Sequence, residues 1–532
     1  MSLKKITVTE CIIPIDENTK LNGNLYLPES EFKVPVIVMR TPYGKHNINA
    51  VFDPIEIVRH GFALLAQNVR GRFESDGIYC PFENERDDGN LTVRWLIEQE
   101  WCNGNVYSLG VSYEGFTSLL LAVNNHTKAV APIMSSSNIY RDWFFENGFI
   151  KQGFVQSWSH SFGFTDNGNL LPFNVIDYIQ LLANDIKSLY YGHLSDFPIS
   201  KYLDYYNAWI NCNMHKYWDN ISKQTKVNDE VPKYYVSGWY DIFCEGTLKQ
   251  FHEEIEKNCN TPMKLVVGPW SHTELFGSVV GDIDFGVYSL EKYSSMDIVE
   301  WFEKIEKKEE LQTVIWLYVM GINKWYKCSE FPKPLYLKYY FIQEHNNGIL
   351  SRKYLKGMED TAIYLFDAND PVPTCGGRCI DAIPEGQGGP KIQNYIETRA
   401  DVLTYSSLPV EERLSIIGEV YITLSCKSEF DKMDYLIKLC DVDEKGKSIN
   451  ILDSGLRVEE LANKKKSYRI CIGTAAHCFL VGHRIRCSIT SSNFPRLNIQ
   501  DDLLNKKGEN TIYLDGSTAI ELPVVEIGYD EK

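Results

Sequence analysis

The run Val106-Tyr107-Ser108-Leu109-Gly110-Val111-Ser112-Tyr113-Glu114-Gly115 opens as a buried strand, from about Gly104 to Leu109, and breaks at a serine. Phe116, Leu119, Leu120 and Val123 then recur at helical spacing, so the chain passes from strand to helix across Ser112. A serine at such a turn projects its hydroxyl above the sheet, and the free N–H groups of the helix start face any oxyanion that develops there. The turn needs small neighbours. Gly110 stands two residues before the serine, but the position two after it is Glu114, with Gly115 one further on, so the strict Gly-x-Ser-x-Gly pattern is not met. A Gly-x-Ser at a strand end is often only a tight turn, which makes the flanking elements decisive.

Outward from this run, Val34–Met39 and Gly61–Val69 read as buried strands, Leu91–Gln99 as a helix, and Ala129–Met134 as a further strand. Strands that alternate with helices imply a parallel sheet covered on both faces. From about 140 to 222 the pattern changes to mixed aromatic and polar residues, including Trp143, Phe144, Phe145, Phe154, Trp158, Phe162 and Phe164, and reads as a helical insertion. Strand signals resume at Lys233–Val236 and Met263–Val267, and a charged helix follows over Ile298–Leu311, with Glu303–Glu310 as its solvated face. Beyond Val314, short alternating segments punctuated by Gly and Pro, such as Glu419–Leu424 and Arg484–Ile489, imply a β-sandwich or jelly roll. The expected division is an α/β domain in two parts, 1–139 and 223–313, interrupted by an insertion at 140–222 and followed by an all-β unit at 314–532.

A nucleophilic serine needs a histidine to take its proton and a carboxylate to orient that histidine; in this sheet type they follow in the order serine, acid, histidine, each just after a later strand. Two later strands end in Ser237-Gly238-Trp239-Tyr240-Asp241 and Gly268-Pro269-Trp270-Ser271-His272. Asp241 and His272 are therefore the expected partners of Ser112. The other histidines, His60, His160 and His483 among them, read as ordinary core or surface residues. One oxyanion donor should be the backbone N–H of Tyr113. The other should come from the loop after an early strand, where Tyr43, in Arg40-Thr41-Pro42-Tyr43-Gly44, is placed to donate its phenolic O–H.

At 532 residues the chain holds about three or four folding units at roughly 150 residues each. Core-forming residues at 44% and charged residues at 23% exclude a disordered or fibrous chain. Its net charge of −17 sets the overall field against nucleic acid and anionic membranes, and the basic run Lys464–Lys466 reads as a solvated turn. The opening MSLKKITVTE lacks the apolar core of a signal peptide, and no uninterrupted apolar stretch is long enough for a membrane helix, so a cytoplasmic, unexported protein is expected. The fourteen cysteines read as reduced; Cys375 and Cys379 form one close pair with no second pair beside it, so no metal and no cofactor are expected.

These residues resemble the cocaine-esterase and X-prolyl dipeptidyl peptidase group of α/β-hydrolases. The resemblance runs over nearly the whole chain, through Arg40–Tyr43, Asn68-Val69-Arg70-Gly71-Arg72, Trp95-Leu96, Trp101-Cys102-Asn103-Gly104, Gly110–Gly115, Gly238–Asp241, Gly268–His272, Pro371–Thr374 with Gly376-Gly377, and Ser491–Arg496. It implies an α/β-hydrolase domain with an inserted helical cap and a C-terminal jelly roll, with the serine, acid and histidine at Ser112, Asp241 and His272, and the phenolic oxyanion donor at Tyr43. In that group the glycine commonly comes three residues after the serine, as Gly115 does. It also implies an acyl pocket partly lined by aromatics, with Phe243, Trp143 and Trp158 as candidates.

Three readings of function follow: a carboxylic-ester hydrolase; an X-Pro aminopeptidase or α-amino-acyl hydrolase or acylase; and a non-catalytic ligand-binding relative. The second needs a buried anion for the substrate ammonium, for which Asp142 and Glu146 in the insertion are candidates. Under each the ligand is a small molecule or short peptide.

Overall fold

The computed structural model describes residues 5–47, 51–163, 193–197, 203–211, 215–225, 227, 230–257, 260–344, 347–354, 360–380 and 388–527. Its first sheet is built from β1 (Ile6–Pro14), β2 (Lys20–Pro28), β3 (Val34–Thr41), β4 (Ala63–Asn68), β5 (Cys102–Val111), β6 (Thr127–Ile133), β7 (Lys233–Tyr240), β8 (Met263–Ser271), β9 (Val314–Val319) and β10 (Lys324–Cys328). The spatial order is β1-β2-β4-β3-β5-β6-β7-β8-β9-β10. From β4 to β9 neighbouring strands run parallel, and antiparallel strands close the two edges. Every residue of β4 and β7 is buried, which is why both read as continuous apolar runs rather than as alternating ones.

Helices α1 (Glu85–Ile97), α2 (Tyr113–Leu121), α3 (Gln152–Gly163), α4 (Cys244–Lys257) and α5 (Ser295–Glu306) connect or cover these strands. A capping box between Ser294 and Asp297 starts α5. The charged helix expected to run to Leu311 stops at Glu306, and Lys308 turns into left-handed backbone with φ 56°. Lys307 still reaches back to Glu303 at 2.8 Å, whereas Glu309 and Glu310 lie beyond the helix.

The segment β9, which the sequence pattern placed at the start of the all-β unit, pairs in parallel with β8 and so extends the first sheet. An edge strand carries the same period-2 signal in either sheet, and only its long-range partner decides. Between 140 and 163 the insertion forms a π-turn (Ile139–Phe144), a short hairpin and α3; Phe164 and the stretch to 192 lie outside the described residues, as do the side chains of His160 and Phe162.

Among the described residues the C-terminal unit is built on eleven strands, mostly antiparallel, between Leu335 and Val524, with one short α-helix at Asn394–Glu397. Its longest pair, Leu414–Ser428 with Lys466–Phe479, shows two regimes. The first half of Lys466–Phe479 alternates between half-buried and exposed positions, whereas its second half is buried throughout. There the strand docks on the first domain: Met320 N–H donates to Ala476 O, and Cys478 N–H donates to Met320 O. Among the described residues no helix is long and apolar enough to cross a membrane.

Candidate active site

Ser112 sits between β5 and α2 with φ 59° and ψ −120°, a left-handed conformation that costs a non-glycine residue about 1–3 kcal/mol and recurs where geometry serves function. Neighbouring packing holds it there. A Cβ on Gly110 would fall 2.4 Å from Glu114 Cβ, and one on Gly115 would fall 2.8 Å from Ser135 Cβ and 2.9 Å from Gly110 O. Strand and helix therefore cross most closely at 110 and 115, which leaves room for a larger residue at 114. The Ser112 N–H donates to Ile133 O at 2.9 Å and its carbonyl accepts from Phe116 N–H at 3.0 Å.

Asp241 and His272 leave the ends of β7 and β8 side by side. Gly238 and Gly268 are paired across those strands, and a Cβ on either would collide with Trp270. The register slips between Gly268 and Ser271, an irregularity of the kind that re-aims a side chain at a strand end. His272 Nδ1 lies 2.7 Å from Asp241 Oδ1 and Nε2 lies 3.1 Å from Ser112 Oγ. A carboxylate only accepts, so Nδ1 carries the hydrogen and the Nε2 lone pair faces the serine hydroxyl. Asp241 is fully buried and takes a second hydrogen bond, from Ser237 Oγ at 3.3 Å. His272 keeps 12% of its side chain exposed.

Tyr43 approaches from the end of β3. Its N–H donates to Thr41 Oγ1 at 3.0 Å, and the preceding Pro42 carbonyl accepts from Arg72 Nε at 2.9 Å. Its hydroxyl accepts from Trp158 Nε1–H at 3.3 Å. Burial pushes the phenol up to about 12, so it remains a protonated donor across neutral pH. Tyr113, at the first position of α2, has a backbone N–H that the helix itself does not use. Its side chain anchors the turn: the hydroxyl donates to Glu85 Oε1 and accepts from Phe82 N–H, both at 2.8 Å.

Residues 16–274 match the family model of the X-Pro dipeptidyl-peptidase (S15 family), and residues 306–519 match that of the X-Pro dipeptidyl-peptidase C-terminal non-catalytic domain. The cocaine esterase of Rhodococcus sp. (strain MB1 Bresler) is 31% identical over 530 residues, covering 91% of this chain and 90% of the relative. This chain belongs to the cocaine esterase family. It is a serine hydrolase acting on ester or amide bonds. Among solved structures, an α-amino acid ester hydrolase superposes with a TM-score of 0.83 at 20% identity, covering 98% of this chain and 97% of that one. An aminopeptidase from a marine sediment Thaumarchaeota archaeon gives 0.80 at 20%, covering 99% and 97%. A CocE/NonD family hydrolase from Staphylococcus aureus gives 0.68 at 17%, covering 98% and 94%. These three show a shared fold.

Within this cocaine esterase family member, the aromatic candidates gather above the serine. Phe243 meets the His272 ring edge-to-face at 5.2 Å and Trp143 at 4.4 Å. Trp143 is fully buried, with Nε1–H on Ser136 O, so it backs Phe243. Trp158 stacks on Tyr113 at 6.0 Å and on Trp209 at 5.0 Å. Sequence reading missed Phe82, which touches Tyr113, Trp143 and Trp158 from a left-handed position with φ 71°; a lone phenylalanine after a proline carries no periodic signal. It also missed the buried Arg40–Glu85 pair beneath Tyr113, at 3.2 Å.

The two cap carboxylates are both paired. Asp142 accepts from Arg141 Nε and Nη2 and from Ser136 Oγ. Glu146 accepts from Arg496 Nη2 at 2.7 and 3.0 Å and from Ser454 Oγ. His60 pairs with Glu303, and His483 with Asp441. Cys375 and Cys379 are buried thiols that donate to the carbonyls of Ile392 and Gly376.

Proposed function

We propose that Ser112, His272 and Asp241 form the catalytic triad of a carboxylic-ester hydrolase for small, uncharged esters. The supporting observation is that the two ring nitrogens of His272 are taken up by the serine hydroxyl on one side and the carboxylate on the other. His272 accepts the hydroxyl proton through Nε2 as Ser112 Oγ attacks the ester carbonyl. The tetrahedral oxyanion is met by the Tyr113 backbone N–H and the Tyr43 phenol. The imidazolium then protonates the departing alkoxide, and water, deprotonated by the same nitrogen, releases the acid and restores Ser112. Asp241 holds the tautomer and stabilises the imidazolium throughout.

Phe243, backed by Trp143, and Trp158 with Tyr43 give the acyl group an aromatic wall, which favours apolar acyl groups. The described part of the insertion, through Trp143, Phe154, Trp158 and Trp209, forms the cap side of this wall. The pairing of Asp142 and Glu146 within the protein speaks against the aminopeptidase reading, which requires a carboxylate left over for the substrate ammonium. Among the described residues the cysteines form no disulfide, which suits a reducing, cytoplasmic setting. The test compares kcat/KM for a p-nitrophenyl ester of an aromatic acid with that for an X-Pro p-nitroanilide. Preference for the ester by several orders of magnitude is expected, and faster cleavage of the anilide would replace this reading with the second.

A further inference from the structure

Lys151 opens helix α3 in the cap and is 7% exposed, a rare position for an ammonium group. Its Nζ donates to the carbonyl of Asp142 at 2.7 Å and to that of Ile242 at 3.1 Å. Ile242 lies between Asp241 and the pocket wall Phe243, so the lysine grips the peptide that carries both. The same turn is closed from below, where Cys244 N–H donates to Asp241 O and Thr247 N–H to Phe243 O. Four charged groups act on the ammonium: Glu146 and Asp142 from the cap, Arg496 from the C-terminal unit, and Asp241 itself. Burial pushes Lys151 below the ordinary lysine range, and Glu146 opposes that. Its other face lines a cavity of about 700 Å³ shared with Glu146, Arg378 and Asp453, between the cap and the C-terminal unit.

We propose that Lys151 is a positioning residue for the catalytic acid, clamping the 241–243 turn to the cap and setting a positive charge beside Asp241. This rests on the triad reading above. A mere strap would be replaceable by any side chain that fills the space and bonds the two carbonyls. A charged clamp has a further effect: it sets a positive charge next to the triad, so its removal moves the acid limb of the activity profile to higher pH.

The experiment measures the pH dependence of kcat/KM for a p-nitrophenyl ester with Lys151→Gln and Lys151→Arg, each checked for fold by circular dichroism. Lys151→Gln should lower kcat about tenfold with KM changed less than about twofold, and should raise the acid limb by about half a pH unit. Lys151→Arg should bring the limb back. An unmoved limb with Lys151→Gln overturns the proposal, as does a rise in KM at constant kcat, which would assign the residue to substrate binding. Should Lys151→Gln fail to fold, Glu146→Gln decides: it unbalances the cluster towards positive charge and should move the limb to lower pH, and no movement is the negative result. Asp241→Asn is run alongside. If it leaves turnover intact, the triad reading fails, independently of what the Lys151 variants do.

Discussion

Tyr43 and Glu114 both lie near the reacting serine and make opposite contributions. Tyr43 presents a phenol that burial keeps protonated, so Tyr43→Phe removes one oxyanion donor without changing shape. Turnover of a p-nitrophenyl ester should fall by about 10²–10³, with the melting temperature little changed; undiminished turnover would remove Tyr43 from the mechanism. Glu114 is a carboxyl that burial pushes up to about 7, with Thr41 and the Val111 backbone partly opposing. The folded state therefore holds its proton more tightly than the unfolded chain, whose carboxyl titrates near the ordinary 4.5. The stability it contributes is complete below 4.5 and is lost as pH rises through 7, an effect of about 3 kcal/mol. Glu114→Gln should accordingly raise the melting temperature at pH 8 and leave it nearly unchanged at pH 4. Equal effects at both pH values would contradict this.

At the scale of elements, the passage from β5 to α2 depends on how closely strand and helix cross. Gly110→Ala would place a methyl 2.4 Å from Glu114 Cβ and 2.6 Å from its backbone carbon. Backbone on one side cannot yield cheaply, so the variant should lose about 1–3 kcal/mol in chemical denaturation and its activity with it; wild-type stability would mean the crossing is looser than described. This element was legible because the apolar period switches from strand to helix across one serine. Strands β7 and β8 were legible because both faces are buried. Strand β1 was not: it is mostly exposed, and Thr7, Thr9 and Glu10 leave few apolar residues to count. The cap was legible only as a change of texture, since its aromatics pack on one another, Phe144 on Trp209 and Trp158, for example, on Phe154, without regard to helical period.

Across the whole molecule, two buried arginines tie the C-terminal unit to the rest, Arg378 to the acid strand and Arg496 to the cap. Arg378 donates Nε–H to Trp239 O at 2.9 Å and Nη2–H to Thr474 O at 2.7 Å. Arg496 joins Glu146 of the cap to Asp453 of the C-terminal sheet. Arg496 ends one of the stretches that resembled the family in the last third of the chain and Arg378 directly follows the other, and the two stretches are bonded to each other: Arg496 N–H donates to Thr374 Oγ1, and Thr374 N–H to Phe494 O. Sequence alone gave these stretches no role, because the role exists only where the C-terminal unit and the cap meet. Arg496→Ala leaves buried Asp453 without its cation and should cost about 3–5 kcal/mol in urea denaturation. A loss below about 1 kcal/mol would mean that the C-terminal unit is held to the cap by other contacts.

All of this converges on the claim that the hydroxyl of Ser112 is activated by His272. The most direct measurement is intact mass and peptide mapping after exposure to a fluorophosphonate. A single adduct on the peptide carrying Ser112, absent in Ser112→Ala and slowed by orders of magnitude in His272→Ala, is the predicted result; an unlabelled protein, or a label on another serine, would contradict it.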